Sequence, residues 1–158
     1  MSGFPIGRRL RALLAMTWPL AGCDIGYGIV REARLESAPP LECVNRVIEG
    51  APGVTSVQNL GTTQGSSYSV SSIGYSGTKE SHIFGTLQVY IYDSYALFNQ
   101  SHVRLNIVPP QAEIDATRPV MQYIEDATAT ECGLPSLPSR VEEECFGVAC
   151  PPLAGPSG

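Results

Sequence analysis

Residues 82–93 read HIFGTLQVYIYD, and this run constrains the whole fold. Apolar and polar positions alternate with a period of two, the spacing of a strand whose two faces meet different surroundings. Ile83, Leu87, Val89 and Ile91 fall on one face with Gly85, while Phe84, Thr86, Gln88, Tyr90 and Tyr92 fall on the other. A strand buried on both sides would read as a continuous apolar run. One apolar face and one mixed face belong to an antiparallel sheet covered on one side only. The segment SHVRLNIV at 101–108 repeats the pattern, with Val103, Leu105 and Ile107 inward and His102, Arg104 and Asn106 outward. SYALFNQ, between the two runs, reads as a loop.

Further strands are expected at IVREARL (29–35), at VTSVQNL (54–60) and at YSVSSIGYSG (68–77). The last is serine-rich and weakly alternating, as suits an edge strand or one with a bulge. Two segments switch to helical spacing. After Pro39-Pro40, the residues Leu41, Val44 and Ile48 form an apolar stripe with Val47 at its side, and Gly50 ends the run. Cys43 lies more than a quarter turn off that stripe and should point sideways. From Gln111 to Cys132, Ile114, Thr117, Met121, Ile124, Thr128 and Cys132 share one side of a long helix interrupted by Pro119.

Ser139 and Glu142 have capping-box spacing and predict one or two helical turns in the tail. The order β-α-β-β-β-β-α predicts an α+β domain: a two-layer arrangement with an antiparallel sheet of four to five strands and two helices on one face. Over residues 29–132 this order resembles that of helix-grip domains, including those of a lipoprotein in the outer-membrane barrel assembly machine. Such a likeness carries no function.

The N-terminus supplies an address. Arg8, Arg9 and Arg11 precede an apolar segment, Leu10 and Ala12 through Leu20, of about ten residues. A membrane span needs about 20. Leu20-Ala21-Gly22-Cys23 resembles the lipobox of bacterial lipoproteins, an aliphatic residue and two small residues before a cysteine. The resemblance implies cleavage between Gly22 and Cys23, diacylation of the Cys23 sulfur and acylation of the new amine. Two acyl chains already give a stable anchor. The expected organisation is a signal peptide at 1–22, a short tether at 23–28, one domain at 29–150 and a disordered tail at 151–158. The protein would be lipid-anchored in the bacterial cell envelope, facing the periplasm. Asp24 resembles the inner-membrane retention signal of enteric bacteria, while other bacteria sort by other rules, so inner and outer membrane both stay open.

Beyond the signal, seven basic residues face fifteen acids, a formal charge of −8. That argues against nucleic acid as a partner and against adhesion to anionic lipid by charge. Four cysteines follow Cys23: Cys43, Cys132, Cys145 and Cys150. An even number in an exported chain suggests two disulfides, and four cysteines allow three pairings. Cys43–Cys132 with Cys145–Cys150 is favoured, because sideways Cys43 would meet the end of the long helix. No C-x-x-C occurs and no histidine lies near a cysteine in sequence, so no metal site and no cofactor is expected.

Catalytic material is sparse. If residues 82–93 and 101–108 pair as a hairpin, His102 lies near Tyr90 and His82 sits about 26 Å away. GYSGT at 74–78 is not a nucleophile elbow. Glu142, Glu143 and Glu144 would diverge around a helix, whereas calcium needs converging oxygens. A non-enzyme is expected. The suggestive feature is the uncovered sheet face, with Phe84, Thr86, Gln88, Tyr90, Tyr92, Arg104 and Asn106, a mixture of the kind used in recognition. The short tether and the missing catalytic set favour a non-catalytic lipoprotein that assists or stabilises a neighbouring membrane protein or complex; the alternative is a binding module for a small periplasmic ligand, peptide or glycan that uses the open sheet face.

Overall fold

The computed structural model describes residues 26–134 and 140–146. Its elements in chain order are β1 (Gly26–Leu35), α1 (Leu41–Glu49), β2 (Ser56–Gln64), β3 (Tyr68–Ser76), β4 (Phe84–Tyr92), β5 (Ala96–Leu105), α2 (Gln111–Glu131) and β6 (Arg140–Phe146). The strands form one antiparallel sheet in the order β2-β3-β4-β5-β1-β6. Both helices pack on one face of it, so the domain is the two-layer α+β arrangement expected. The lipobox segment, Cys150 and residues 151–158 lie outside the described residues.

The helices form where their apolar stripes predict. Pro40 caps α1 without needing an N–H, and its carbonyl accepts from Cys43 N (3.0 Å) and Val44 N (3.1 Å). Val44, Val47 and Ile48 are buried under the helix. Cys43 faces α2 and is disulfide-bonded to Cys132, the residue that caps α2, across a Cα separation of 5.9 Å. α2 continues through Pro119 as one helix, with Thr117, Val120, Met121, Ile124 and Thr128 on its buried side.

β4 has the expected phase, with Leu87 and Val89 fully buried and Thr86, Gln88 and Tyr90 half-buried on the open side. Gly85 is required there because the buried Tyr75 ring of β3 lies across it, and a Cβ would come within 2.5 Å of the phenol oxygen. Leu87, Val89, Ile73, Phe98, Ala33 and Ile124 belong to one core between sheet and helices.

β5 overturns part of the sequence reading. The chain reverses at Asp93-Ser94, where Tyr92 N donates to the Tyr95 carbonyl (2.9 Å), and β5 begins at Ala96. What reads as a loop at 94–100 is therefore mostly strand. Tyr90 pairs with Leu97, not with the neighbourhood of His102. Phe98, Gln100 and His102 point inward and are buried, whereas Leu105 is 61% and Ile107 59% exposed. Alternation puts Val103, Leu105 and Ile107 inward because His102 and Arg104 look like solvent positions; in the fold His102 and Arg104 meet Glu113 of α2, and Gln100, from the segment read as loop, bonds the Met121 carbonyl. Leu105→Ala is accordingly expected to leave unfolding stability within about 0.5 kcal/mol of wild type by urea titration, as for a surface change.

Three further boundaries differ. β1 starts at Gly26, inside the expected tether. The bulge lies in β2, not β3: the register shifts between Asn59 and Gly61, leaving Leu60 as the extra residue. The tail at 140–146 is strand β6 and not a helix, paired along β1 from Gly26↔Phe146 to Glu32↔Arg140. Seven residues of main-chain pairing on an otherwise open edge outweigh a local capping preference. The acids Glu142, Glu143 and Glu144 thus occupy successive strand positions opposite Val30, Ile29 and Gly28.

Candidate functional site

Two groups of polar and aromatic side chains stand out, one sealed between the layers and one on the open face. The sealed group lies where α2 crosses β1 and β5. Glu125 accepts two hydrogen bonds from Arg31, Nε to Oε1 and an Nη2 contact to Oε2, both 2.7 Å. Gln122 accepts a further bond from Arg31. Gln100 donates to the Met121 carbonyl at 2.9 Å and to Glu125 at 3.4 Å. Nearer the end of β5, Glu113 takes a bidentate pair from Arg104, 2.9 and 2.8 Å, and lies 3.3 Å from His102 Nε2.

Burial, the largest influence, pulls the His102 pKa below the usual imidazole range against the opposing effect of Glu113. Arg31, Gln100, His102 and Glu125 are all buried. The seam is therefore a charged filling that fixes how α2 sits on the sheet, buried at Arg31, Gln100, His102 and Glu125 and reaching solvent at Gln122 and at Arg104, whose side chain is 39% exposed.

This corrects the expected binding face. Arg104 is on the helix side, tied to Glu113. Asn106 lies beyond the end of β5 in a left-handed conformation, φ 57°. Phe84 stands at the start of β4, before the β4–β5 ladder begins at Thr86↔Ser101, and its ring meets His102 edge-on with centroids 4.0 Å apart. His82, also left-handed at φ 57°, is exposed, while His102 is buried.

The remaining four residues do share the open face. Gln88 donates to Ser72 Oγ (3.4 Å) and accepts from the Tyr90 hydroxyl (3.1 Å). Thr86 is their neighbour along β4, and Tyr92 ends the strand. The sequence reading missed the companions of these tyrosines. Tyr68, at the start of β3 opposite Tyr92, lies 5.5 Å from the Tyr92 ring and 5.8 Å from Tyr90. Tyr95 stacks on Tyr92 at 4.4 Å with planes 13° apart, and the Arg34 guanidinium of β1 lies 4.1 Å over the Tyr95 ring.

The result is a row, Arg34–Tyr95–Tyr92–Tyr68–Tyr90, reaching across the sheet from β1 to β3. The clue that would have found Tyr95 is YDSY at 92–95, with tyrosines on both sides of a two-residue turn. Desolvation, followed by the phenols of Tyr95, Tyr68 and Tyr90 and by Glu32, pushes the Tyr92 pKa above the usual phenol value.

Two clefts flank Tyr92. One, of about 430 Å³, lies against Tyr68 and the β2–β3 turn at Gly65 to Ser67. The other, of about 280 Å³, lies against Tyr95 and residues Glu36 to Ala38. Ile91, Tyr92 and Asp93 line both. The row therefore offers apolar ring edges, hydroxyls, a guanidinium and two shallow recesses, which suit binding.

Among the described residues no three His, Cys, Asp or Glu side chains are arranged to hold a metal, and no helix is long and apolar enough to cross a membrane. Neither a family model, nor a curated protein, nor a solved structure matches the chain.

Proposed function

We propose that this is a lipid-anchored, non-catalytic protein of the bacterial envelope, held at Cys23 and facing the periplasm, which binds and supports a neighbouring membrane protein or complex through its open sheet face. The observation that carries this reading is the tyrosine row. Its rings lie on the side of the sheet away from the core, so packing between the layers does not account for them. Tyrosine and arginine are the residues that dominate the energetics of protein interfaces. Rings held against one another also lose little freedom on binding. The lipobox-like segment supports the anchor.

A second reading, a receptor for a small ligand, peptide or glycan, draws on the two clefts beside Tyr92. The stacking geometry favours a protein partner over a sugar. Tyr92 and Tyr95 use a ring face on each other, and Arg34 covers another face of Tyr95. A flat sugar would need those faces, whereas ring edges and hydroxyls suit peptide groups and side chains.

The test is extraction in mild detergent followed by mass analysis of what co-purifies. A stoichiometric protein partner is expected, lost in Tyr92→Ser while the melting temperature moves by only a few degrees. Cys23→Ser is expected to abolish fatty-acid labelling and leave an uncleaved precursor. A monomer carrying a small molecule, or a lipid-free protein in the soluble periplasm, would overturn the reading.

A further inference from the structure

The connection from β5 to α2 carries the most exposed large apolar side chains among the described residues: Val108 at 67%, Leu105 at 61% and Ile107 at 59%. Single exposed apolar residues need no explanation. Three within four positions mark a surface that meets something less polar than water. The stretch LNIVPPQA, residues 105–112, contains no charged side chain. The charges that flank it, Arg104 and Glu113, are hydrogen-bonded to each other at 2.9 and 2.8 Å. Pro109 and Pro110 have no N–H, so the segment brings fewer main-chain donors that must lose water when it leaves solvent.

The position of this segment in the sheet selects what covers it. Leu105 is the register partner of Gly26, the first residue of β1, and paired strands lie about 5 Å apart. Only Asp24 and Ile25 separate Gly26 from Cys23, a reach of about 10 Å at most. Acyl chains on Cys23 lie in the bilayer, so the apolar segment starts within about 15 Å of the membrane surface. Apolar side chains at such a surface bury themselves about 5–10 Å into the boundary between headgroups and acyl chains. We propose that Leu105, Ile107 and Val108 enter that boundary and make a second, non-covalent contact with the membrane that holds the anchor. The contact fixes which end of the domain faces lipid. It is apolar in origin: the chain beyond the signal has a formal charge of −8, so anionic headgroups contribute no attraction. The inference rests on the anchor at Cys23 and is independent of the tyrosine row.

Tryptophan fluorescence of the protein in phosphatidylcholine vesicles tests the contact. The one tryptophan of the sequence, Trp18, precedes Cys23, so in the cleaved protein an introduced ring is the sole reporter. Ile107→Trp is expressed as the full chain, purified in detergent, checked for acyl mass and reconstituted. Its emission is expected to be blue-shifted relative to Ser94→Trp, which places the ring in the exposed β4–β5 turn at the other end of the sheet. It should also be quenched when the acyl chains of the lipid are brominated, and Val108→Trp should behave in the same way. Raised salt should leave the quenching unchanged, because no charge carries the contact. An acylated protein in which both variants emit like Ser94→Trp would overturn the inference and leave the anchor standing. A blue shift without quenching by brominated lipid would also overturn it, since the segment would then lie against protein. Absence of acyl mass would overturn the anchor, and this contact with it.

Discussion

Arg31→Met should destabilise the domain by about 3–5 kcal/mol, the usual effect of removing one partner of a buried ion pair. Glu125 is 3% exposed, and Arg31 supplies two of its hydrogen bonds; without Arg31 the Gln100 amide, at 3.4 Å, is the nearest donor shown for it. The substitution keeps most of the volume, so the loss reports the uncompensated carboxylate and not a cavity. Arg31→Met combined with Glu125→Leu should recover most of the stability, because an apolar pair of similar size can replace a buried ion pair at little net expense. Urea unfolding of the two variants decides the matter. A loss below about 1 kcal/mol in the single variant would mean that water reaches the seam and screens the charge.

The second large effect is expected from the disulfide. Cys43 and Cys132 are 89 residues apart, and the segment between them contains β2, β3, β4, β5 and α2. In the chain-entropy account, closing a loop of that length stabilises by about 4–5 kcal/mol, acting on the unfolded chain. Cys43→Ser with Cys132→Ser should lower the urea midpoint correspondingly and leave the folded domain's circular dichroism unchanged. A loss of less than about 1 kcal/mol would show that the unfolded chain is already compact without the link.

The parts of the fold that were legible are those in which one residue's surroundings follow from its neighbours in sequence. The α1 stripe, the sideways Cys43 and the β4 alternation all have this property. The parts that were not legible depend on what two distant segments bring to each other. His102 reads as a solvent position, Gln100 as part of a loop, and the Arg31 strand shows no face at all. They are buried because α2 presents Glu113 and Glu125 to them. Period two says which residues share a face; it does not say which face is covered once both carry polar groups.

The β4–β5 reversal was missed for a local reason. Asp93-Ser94 lacks the glycine or asparagine that marks the commonest tight hairpins, and neither residue takes a left-handed conformation. Placing that turn too late hid Tyr95 and the pairing of Ala96 to Gln100 with β4. β6 was missed because its strand character comes from the edge of β1 and not from its own residues.

β1 also sets a distance. It is paired throughout on one side by β5 and for seven residues on the other by β6, so it cannot bend easily along its length. Gly26 at its beginning lies beside Leu105 and Phe146, whereas Leu35 at its far end lies beside Ala96, next to Tyr95 and the stacked Tyr92. Ten strand residues span about 30 Å. Between Cys23 and β1 there are only Asp24 and Ile25, a reach of about 10 Å at most. On the proposed attachment at Cys23, the strand would work as a ruler: residues close to Gly26 would stay near the attachment point, and the aromatic end would be carried a set length away from it. Lengthening the segment before Gly26 would therefore change where that end can reach without altering a single contact inside the domain.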